Sequence, residues 1–506
     1  MKNPLFEKLF KNKENDENVF LSFGDGTSLT YKEYVKMIYE FSSIFSSIGL
    51  KPGDRLALKI EKSLYFLVVY GACVHRGLIF LPINDSATTK ELLYFLKDSE
   101  TRIVISDKEQ VHELRKFLIN SDVLIETLEK DGTGSLRTIA KCAHFSAEPE
   151  VRNLQDIAAL LYTSGTTGRP KAAMITHENL ISNSQTLMEF WRFSREDILI
   201  HALPVYHTHG LFVATNVILM VSARMIFISK FDVDSVIKVL PKATTIMGVP
   251  TYYSRLIESP NLTKELTQHM RLIISGSAPL TKELSDKFFE RTGKRILERY
   301  GMTETNMISS NPYFGERRAG TVGHALPGIK IRICNPETGK RLSRGHVGEV
   351  ELKGKNVFRG YWKMPKKTQE NFRQDGFFRT GDLGKFDQQG FLEIVGRLKD
   401  LIITGGLNVY PKEVETILDS FSGVKESAVI GLPHFDFGEA VLAVIISETG
   451  SVPDVKHIAQ YLEGNLAKYK CPKEYIFMNS LPRNNLGKVL KKSLREKYRN
   501  HFTNIE

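Results

Sequence analysis

The chain lacks most of the marks of a membrane, secreted or nucleic-acid-binding protein. It contains no run of 18 apolar residues, about the length a membrane-spanning helix needs. Its first residues, Met1-Lys2-Asn3-Pro4-Leu5-Phe6-Glu7-Lys8, hold no apolar core of the secretory type, and Glu14, Asp16 and Glu17 follow, acids that transit peptides avoid. The expected compartment is the cytoplasm. Cysteine is scarce: Cys73, Cys142, Cys334 and Cys471 show neither C-x-x-C spacing nor accompanying spaced histidines. That argues against a disulfide framework and against a zinc-type centre. The net charge of +11 comes without a long basic block or interleaved aromatics, so it suits anionic small molecules better than nucleic acid. Internal repeats and low-complexity tracts are also missing.

What is present reads as a layered α/β protein of more than one domain. A chain of 506 residues exceeds what one ordinary core accommodates. Phe20 to Phe23 and Ser28 to Tyr31 flank Gly24-Asp25-Gly26 as a hairpin, and Thr30 caps a helix reaching about Ile48. Strands at Arg55 to Ile60, Leu78 to Leu81, Ala223 to Ile228, Thr245 to Val249 and Leu272 to Ser275 alternate with helical segments. Thr281 opens a helix expected to turn Leu284, Phe288 and Phe289 inward, and Gly293 closes it. Composition shifts near Gly396-Arg397-Leu398-Lys399-Asp400, and a compact α+β unit follows. The expected division is 1–396, a boundary at 397–401, and 402–506.

One stretch suits a polyphosphate. After the apolar run Ile157 to Leu161 come Tyr162, Thr163, Ser164, Gly165, Thr166, Thr167, Gly168, Arg169, Pro170 and Lys171. Glycines let backbone N–H groups approach an anion, and hydroxyls and cations add donors. The order is not that of a P-loop, whose lysine opens a helix; Pro170 denies a helical hydrogen bond there. Four other stretches carry chemistry-grade residues: Tyr300-Gly301-Met302-Thr303-Glu304-Thr305, Arg379-Thr380-Gly381-Asp382-Leu383-Gly384, Gly396-Arg397, and Leu486-Gly487-Lys488. Each alone reads more readily as a solvated loop, a turn carboxylate, a surface ion pair or a surface cation than as a site.

Together, in this order and spacing, they resemble the adenylate-forming superfamily of acyl-CoA synthetases, carrier-protein adenylation domains and luciferases. Gly348-Glu349-Val350, Asn356 to Tyr361 and Gly405-Gly406 belong to the same resemblance, which covers nearly the whole chain. It implies a large N-terminal α/β domain, a small mobile C-terminal domain, and a hinge at Lys399. It implies a carboxylate attacking the α-phosphorus of ATP, then coenzyme A displacing AMP. The residues implied for the β- and γ-phosphates are Thr163 to Lys171, with Thr303 at the α-phosphate. Glu304 and Thr167 are implied for Mg2+, and Asp382 and Arg397 for the ribose. Gly276, Ser277, Ala278 and Pro279, with Glu298, Tyr300, Gly301 and Met302, are implied to border adenine and acyl group. Lys488 is implied at the junction of the reacting anions, and His207 at the acyl site.

The acid is read from Arg299, beside Tyr300. A guanidinium facing an otherwise apolar pocket suits a second carboxylate; a surface ion pair with Glu298 is the plainer alternative. Ile246 to Thr251, Leu297 to Tyr300, Ala325 to Gly328 and Leu407 to Glu413 are similar to malonyl-CoA synthetases. The expected substrates are therefore malonate and also methylmalonate, with ATP and coenzyme A. The rivals are a ligase for aryl or medium-chain acids and an enzyme that loads a carrier protein.

Overall fold

The computed structural model describes residues 2–139, 148–163, 170–448, 452–484 and 487–502. Two large sheets build the N-terminal part. One has nine strands among the described residues, in the order His324–Ala325, Asn306–Ser310, Leu297–Met302, Leu272–Ser275, Thr245–Gly248, Ile198–His201, Arg224–Phe227, Val19–Ser22 and Ser28–Thr30. The strands from Leu297–Met302 to Val19–Ser22 pair in parallel, and antiparallel partners close both edges. The second sheet runs Leu124–Thr127, Ile103–Ser106, Arg55–Lys59, Ile79–Pro82, Ile157–Thr163 and Lys171–Thr176, parallel except for the last pair.

Parallel strands covered on both faces need apolar side chains at successive positions. Leu272 and Ile274 point into one core and Ile273 into another; Leu56 and Leu58 likewise oppose Ala57. The shared core takes helices Tyr31–Ser47, Leu64–Arg76 and His177–Phe190 between the two sheets, and other helices cover each outer face. Helix ends follow local chemistry. Thr30 and Glu33 form a reciprocal cap on the first of these helices, and Gly77, at φ 66°, ends the second. Thr281 and Gly293 bound Lys282–Thr292, but the expectation for Phe289 is wrong. Leu284 and Phe288, four residues apart, share the core face, while Phe289 turns outward, 37% exposed, under the Arg295 guanidinium at 3.8 Å.

A four-stranded antiparallel sheet follows, Lys330–Cys334, Gly348–Lys353, Phe378–Phe386 and Leu392–Arg397. After one 3-10 turn, Leu398–Asp400, the chain enters a small α+β unit with its own cores. Its strands Leu407–Val409, Ile402–Thr404, Gly438–Ser447 and Val424–His434, with Glu474–Phe477, carry Pro411–Leu418 and Val455–Asn465 on one face and Lys491–Lys497 on the other. The fold is a large N-terminal α/β domain with a small C-terminal one. Among the described residues no helix is long and apolar enough to cross a membrane.

Candidate active site

The parallel strands Ile198–His201, Thr245–Gly248, Leu272–Ser275 and Leu297–Met302 end along one edge, the edge where open α/β sheets bind ligands. Arg299 lies on the last of them and is 3% exposed. Its Nε–H and one terminal nitrogen, Nη2, have no partner among the described residues. Those two donors form one side of the guanidinium fork, the side that takes a carboxylate bidentately. Glu298 makes no ion pair with it among the described residues, because adjacent strand residues face opposite ways. The Glu298 carboxyl instead accepts from the Leu280 N–H at 3.2 Å. Burial pushes it up to about 8, with the Leu280 N–H, Lys412 and Arg299 opposing. Burial likewise brings Arg299 down to about 9, against Tyr253 and Glu298.

The wall opposite Arg299 is backbone. A Cβ on Gly276 would stand 2.4 Å from the guanidinium carbon, so only glycine admits this arginine at this depth. The next residue, Ser277, has φ 70° and meets His209 Nδ1 through its hydroxyl at 3.2 Å. His209 is 4% exposed, and its Nε2 has no partner among the described residues. Burial first, then Arg299, holds the His209 ring well below the usual histidine value. Two residues earlier, burial brings His207 down to about 4.

Beyond this pocket stands a second group of polar side chains. Tyr300, Gly301 and Met302 are strand residues; only Thr303, Glu304 and Thr305 form the turn of a tight hairpin. A Cβ on Gly301 would lie 2.2 Å from the Asn306 carbonyl, which explains that glycine. Asp382 also sits in a strand rather than a free turn, paired in register with Arg397. The Tyr300 phenol donates to one oxygen of Asp382 and Arg397 Nε to the other at 2.6 Å. The Asp382 carboxylate holds Arg397 above its usual value. Tyr361 donates to Glu304 Oε1 at 2.9 Å, and Lys171 Nζ stands 4.1 Å over the Tyr361 ring. Thr163 faces Lys171 across a hairpin that ends beside Pro170. Ser164, Gly165, Thr166, Thr167, Gly168 and Arg169 lie outside the described residues.

Lys488 reaches the same place from the small domain. Gly487, at φ 77°, packs so closely on Thr251 that a Cβ would stand 3.0 Å from its methyl. This lays the turn against the start of the Pro250–Glu258 helix. Lys488 is exposed, yet near enough to Arg397, Asp382, Lys399 and Asp400 to feel their charges. Desolvation there, then Arg397, lowers its ammonium value, and Asp382 opposes. Lys399 is exposed in the connecting 3-10 turn, and Asp400 beside it pairs with Arg495 of the small domain at 2.7 Å.

The profile of AMP-binding enzymes matches residues 7–362, and that of the AMP-binding enzyme C-terminal domain matches residues 413–488. The chain belongs to the AMP-binding enzyme family. A malonate–CoA ligase of Arabidopsis thaliana is 31% identical, over 98% of this chain and 89% of that protein. Among solved structures, ATP-bound MatB from Rhodopseudomonas palustris is 50% identical with a TM-score of 0.97, covering 99% of this chain and all of that one. The apo form of MatB, at the same identity and coverage, gives 0.85. This AMP-binding enzyme therefore shares the arrangement of the ATP-bound form. Two polar residues around its site escape a sequence reading. His209 had a signal, two positions after His207; Tyr361 lay in the resembling stretch Asn356 to Tyr361, but only folding sets its phenol against Glu304.

Proposed function

We propose that this AMP-binding enzyme is an ATP-dependent malonate–CoA ligase that also accepts methylmalonate. One observation carries the substrate: Arg299 is buried with two adjacent N–H donors unpaired among the described residues, which a monocarboxylic acid would leave so. The distal carboxylate of a short diacid satisfies them, while the other carboxylate lies toward Lys488 and His207. The relative named a malonate–CoA ligase supports the same reading.

The two acids of the first step, carboxylate and triphosphate, repel. Lys488 at their junction offsets the charge that builds as the carboxylate oxygen bonds to the α-phosphorus and pyrophosphate leaves. Thr163 to Lys171 hold the β- and γ-phosphates and Thr303 the α-phosphate. Asp382, fixed by Tyr300 and Arg397, takes the ribose hydroxyls. Gly276, Ser277, Ala278, Pro279 and the Glu298 to Met302 strand separate adenine from acid. The residues fit a magnesium ion carried in on ATP: such ions use one or two carboxylates plus phosphates, and Glu304 is held in place by Tyr361. Thr167 would add a hydroxyl; the ion would screen the phosphates. In the second step the coenzyme A sulfur bonds to the acyl carbon and AMP leaves, after the small domain, residues 402–506, turns on 1–396 about Lys399.

The test is pyrophosphate release across malonate, methylmalonate, butyrate and benzoate, with and without coenzyme A. Malonate should give the highest kcat/KM, with thioester formed only when coenzyme A is present. A preference for butyrate or benzoate would overturn the diacid assignment.

A further inference from the structure

A half-buried lysine, far along the chain from the site residues above, is tied to the acid pocket. Lys62 lies between the Arg55–Lys59 strand and the Leu64–Arg76 helix. Its Nζ donates to the Ile228 carbonyl at 2.7 Å, the His201 carbonyl at 2.8 Å and His201 Nδ1 at 2.9 Å. It also stands 4.4 Å over the Phe227 ring. His201 closes the Ile198–His201 strand, and its Nε2 meets the Gly210 carbonyl at 2.9 Å, which Thr215 Oγ also reaches at 2.9 Å.

The acceptors decide every proton in this chain. The Gly210 carbonyl only accepts, and at 2.9 Å it draws the His201 ring proton to Nε2, with Thr215 Oγ farther off at 3.4 Å from the same nitrogen. A neutral ring then leaves Nδ1 bare, and Lys62 must donate to it as well as to two carbonyls. Three donated hydrogens make Lys62 an ammonium. Burial pulls that ammonium well below the usual lysine value; three acceptors and the face of Phe227 work against the loss of its proton. Burial, then Lys62, brings the His201 ring down to about 3, consistent with a neutral imidazole.

Gly210 is where this matters. It follows His209 and begins the widened π-helical segment His209–Thr215 with it. A Cβ on Gly210 would stand 2.1 Å from the Pro204 carbonyl, so the chain from Pro204 to Gly210 closes tightly on itself. His207 and His209 project from that closed loop. We propose that Lys62 is a positioning residue for the acid site: by fixing the His201 tautomer it holds the Gly210 carbonyl, and so aims His207 and His209. This rests on the acid-activating reading of the pocket.

The experiment compares Lys62→Met, His201→Gln and the double variant in the full-length protein. A glutamine amide at 201 donates to Gly210 without tautomer choice, so it no longer needs the lysine. Lys62→Met should raise the KM for malonate about tenfold or more and leave the KM for ATP within about twofold. The double variant should recover most of the loss. Selective 15N-histidine NMR, recorded without substrate, should show His201 protonated on Nε2 in the parent and a mixture in Lys62→Met. An unchanged tautomer, equal loss for malonate and ATP, or no recovery in the double variant would overturn the proposal. If Lys62→Met does not fold, His201→Gln against His201→Asn decides: only glutamine reaches Gly210, so equal malonate KM values sink the idea. A parent enzyme that ignores malonate defeats the functional reading instead, and the NMR result still judges the tautomer.

Discussion

Arg299 sits in the pocket with two donors that meet no acceptor among the described residues. Leaving a buried charge unpaired costs about 3–5 kcal/mol, so a diacid that pairs it gains over a monoacid that does not. Arg299→Ala should lower kcat/KM for malonate by two to three orders of magnitude, at about 1.4 kcal/mol per tenfold. Butyrate should lose far less, and His207→Ala should impair both acids because the proposed reading puts it by the reacting end. Steady-state kinetics with the two acids separates these outcomes; equal loss for both acids in Arg299→Ala would make the arginine structural. His177 offers a different test at this scale. It is 2% exposed and brought down to about 4 by burial, then by Arg152, against Asp156. The unfolded chain, with a histidine value near 6.5, takes this proton first as pH falls. Its contribution is therefore whole above about pH 6.5 and lost below, at up to about 1.4 kcal/mol per pH unit, until about pH 4. In His177→Asn the slope of unfolding free energy against pH, measured from 6 to 5, should be flatter by about one proton.

At the level of elements, the Leu272–Ser275 strand and the turn after it hold the arginine in place. Gly276 does this by having no side chain, and the contact it allows is to the guanidinium rather than to backbone. Gly276→Ala should leave the fold intact, since the end of a long side chain can shift. It should displace Arg299, raise the KM for malonate about tenfold or more, and leave the KM for ATP nearly unchanged. Matching melting temperatures for parent and variant would separate this from general damage. A malonate KM that did not move would show that the arginine can work from another rotamer.

For the whole molecule the two half-reactions make different demands. Lys488 stands near Arg397 and Asp382 in the arrangement described, and the proposed first step needs it there. Lys488→Ala should abolish pyrophosphate exchange while largely sparing thioester formation from supplied malonyl-adenylate. Lys399→Pro should reverse the pattern, because a φ fixed near −65° hinders rotation at the connection between the domains. Thioester formation at the parental rate in Lys399→Pro would place the pivot elsewhere.

Much of this was determined by local sequence. Alternating apolar segments, capping threonines and closing glycines specify strands and helices from their own residues, because those signals act over a few positions. The ordered stretches from Tyr162 to Lys488 identified the superfamily because each needs its own residue types for close backbone approach or charge. Tertiary structure alone decided which faces the side chains present. Phe289 lies outside because the helix turns it about 100° from Phe288. Tyr300 and Asp382 meet across 82 residues of chain, on strands of different sheets. That Arg299 has two open donors among the described residues emerged only once folding placed Glu298 on the other face. The link from Lys62 through His201 to Gly210 spans 148 residues of chain, and no periodicity or motif reports it, since its energy arises from groups that meet only when both sheets are assembled.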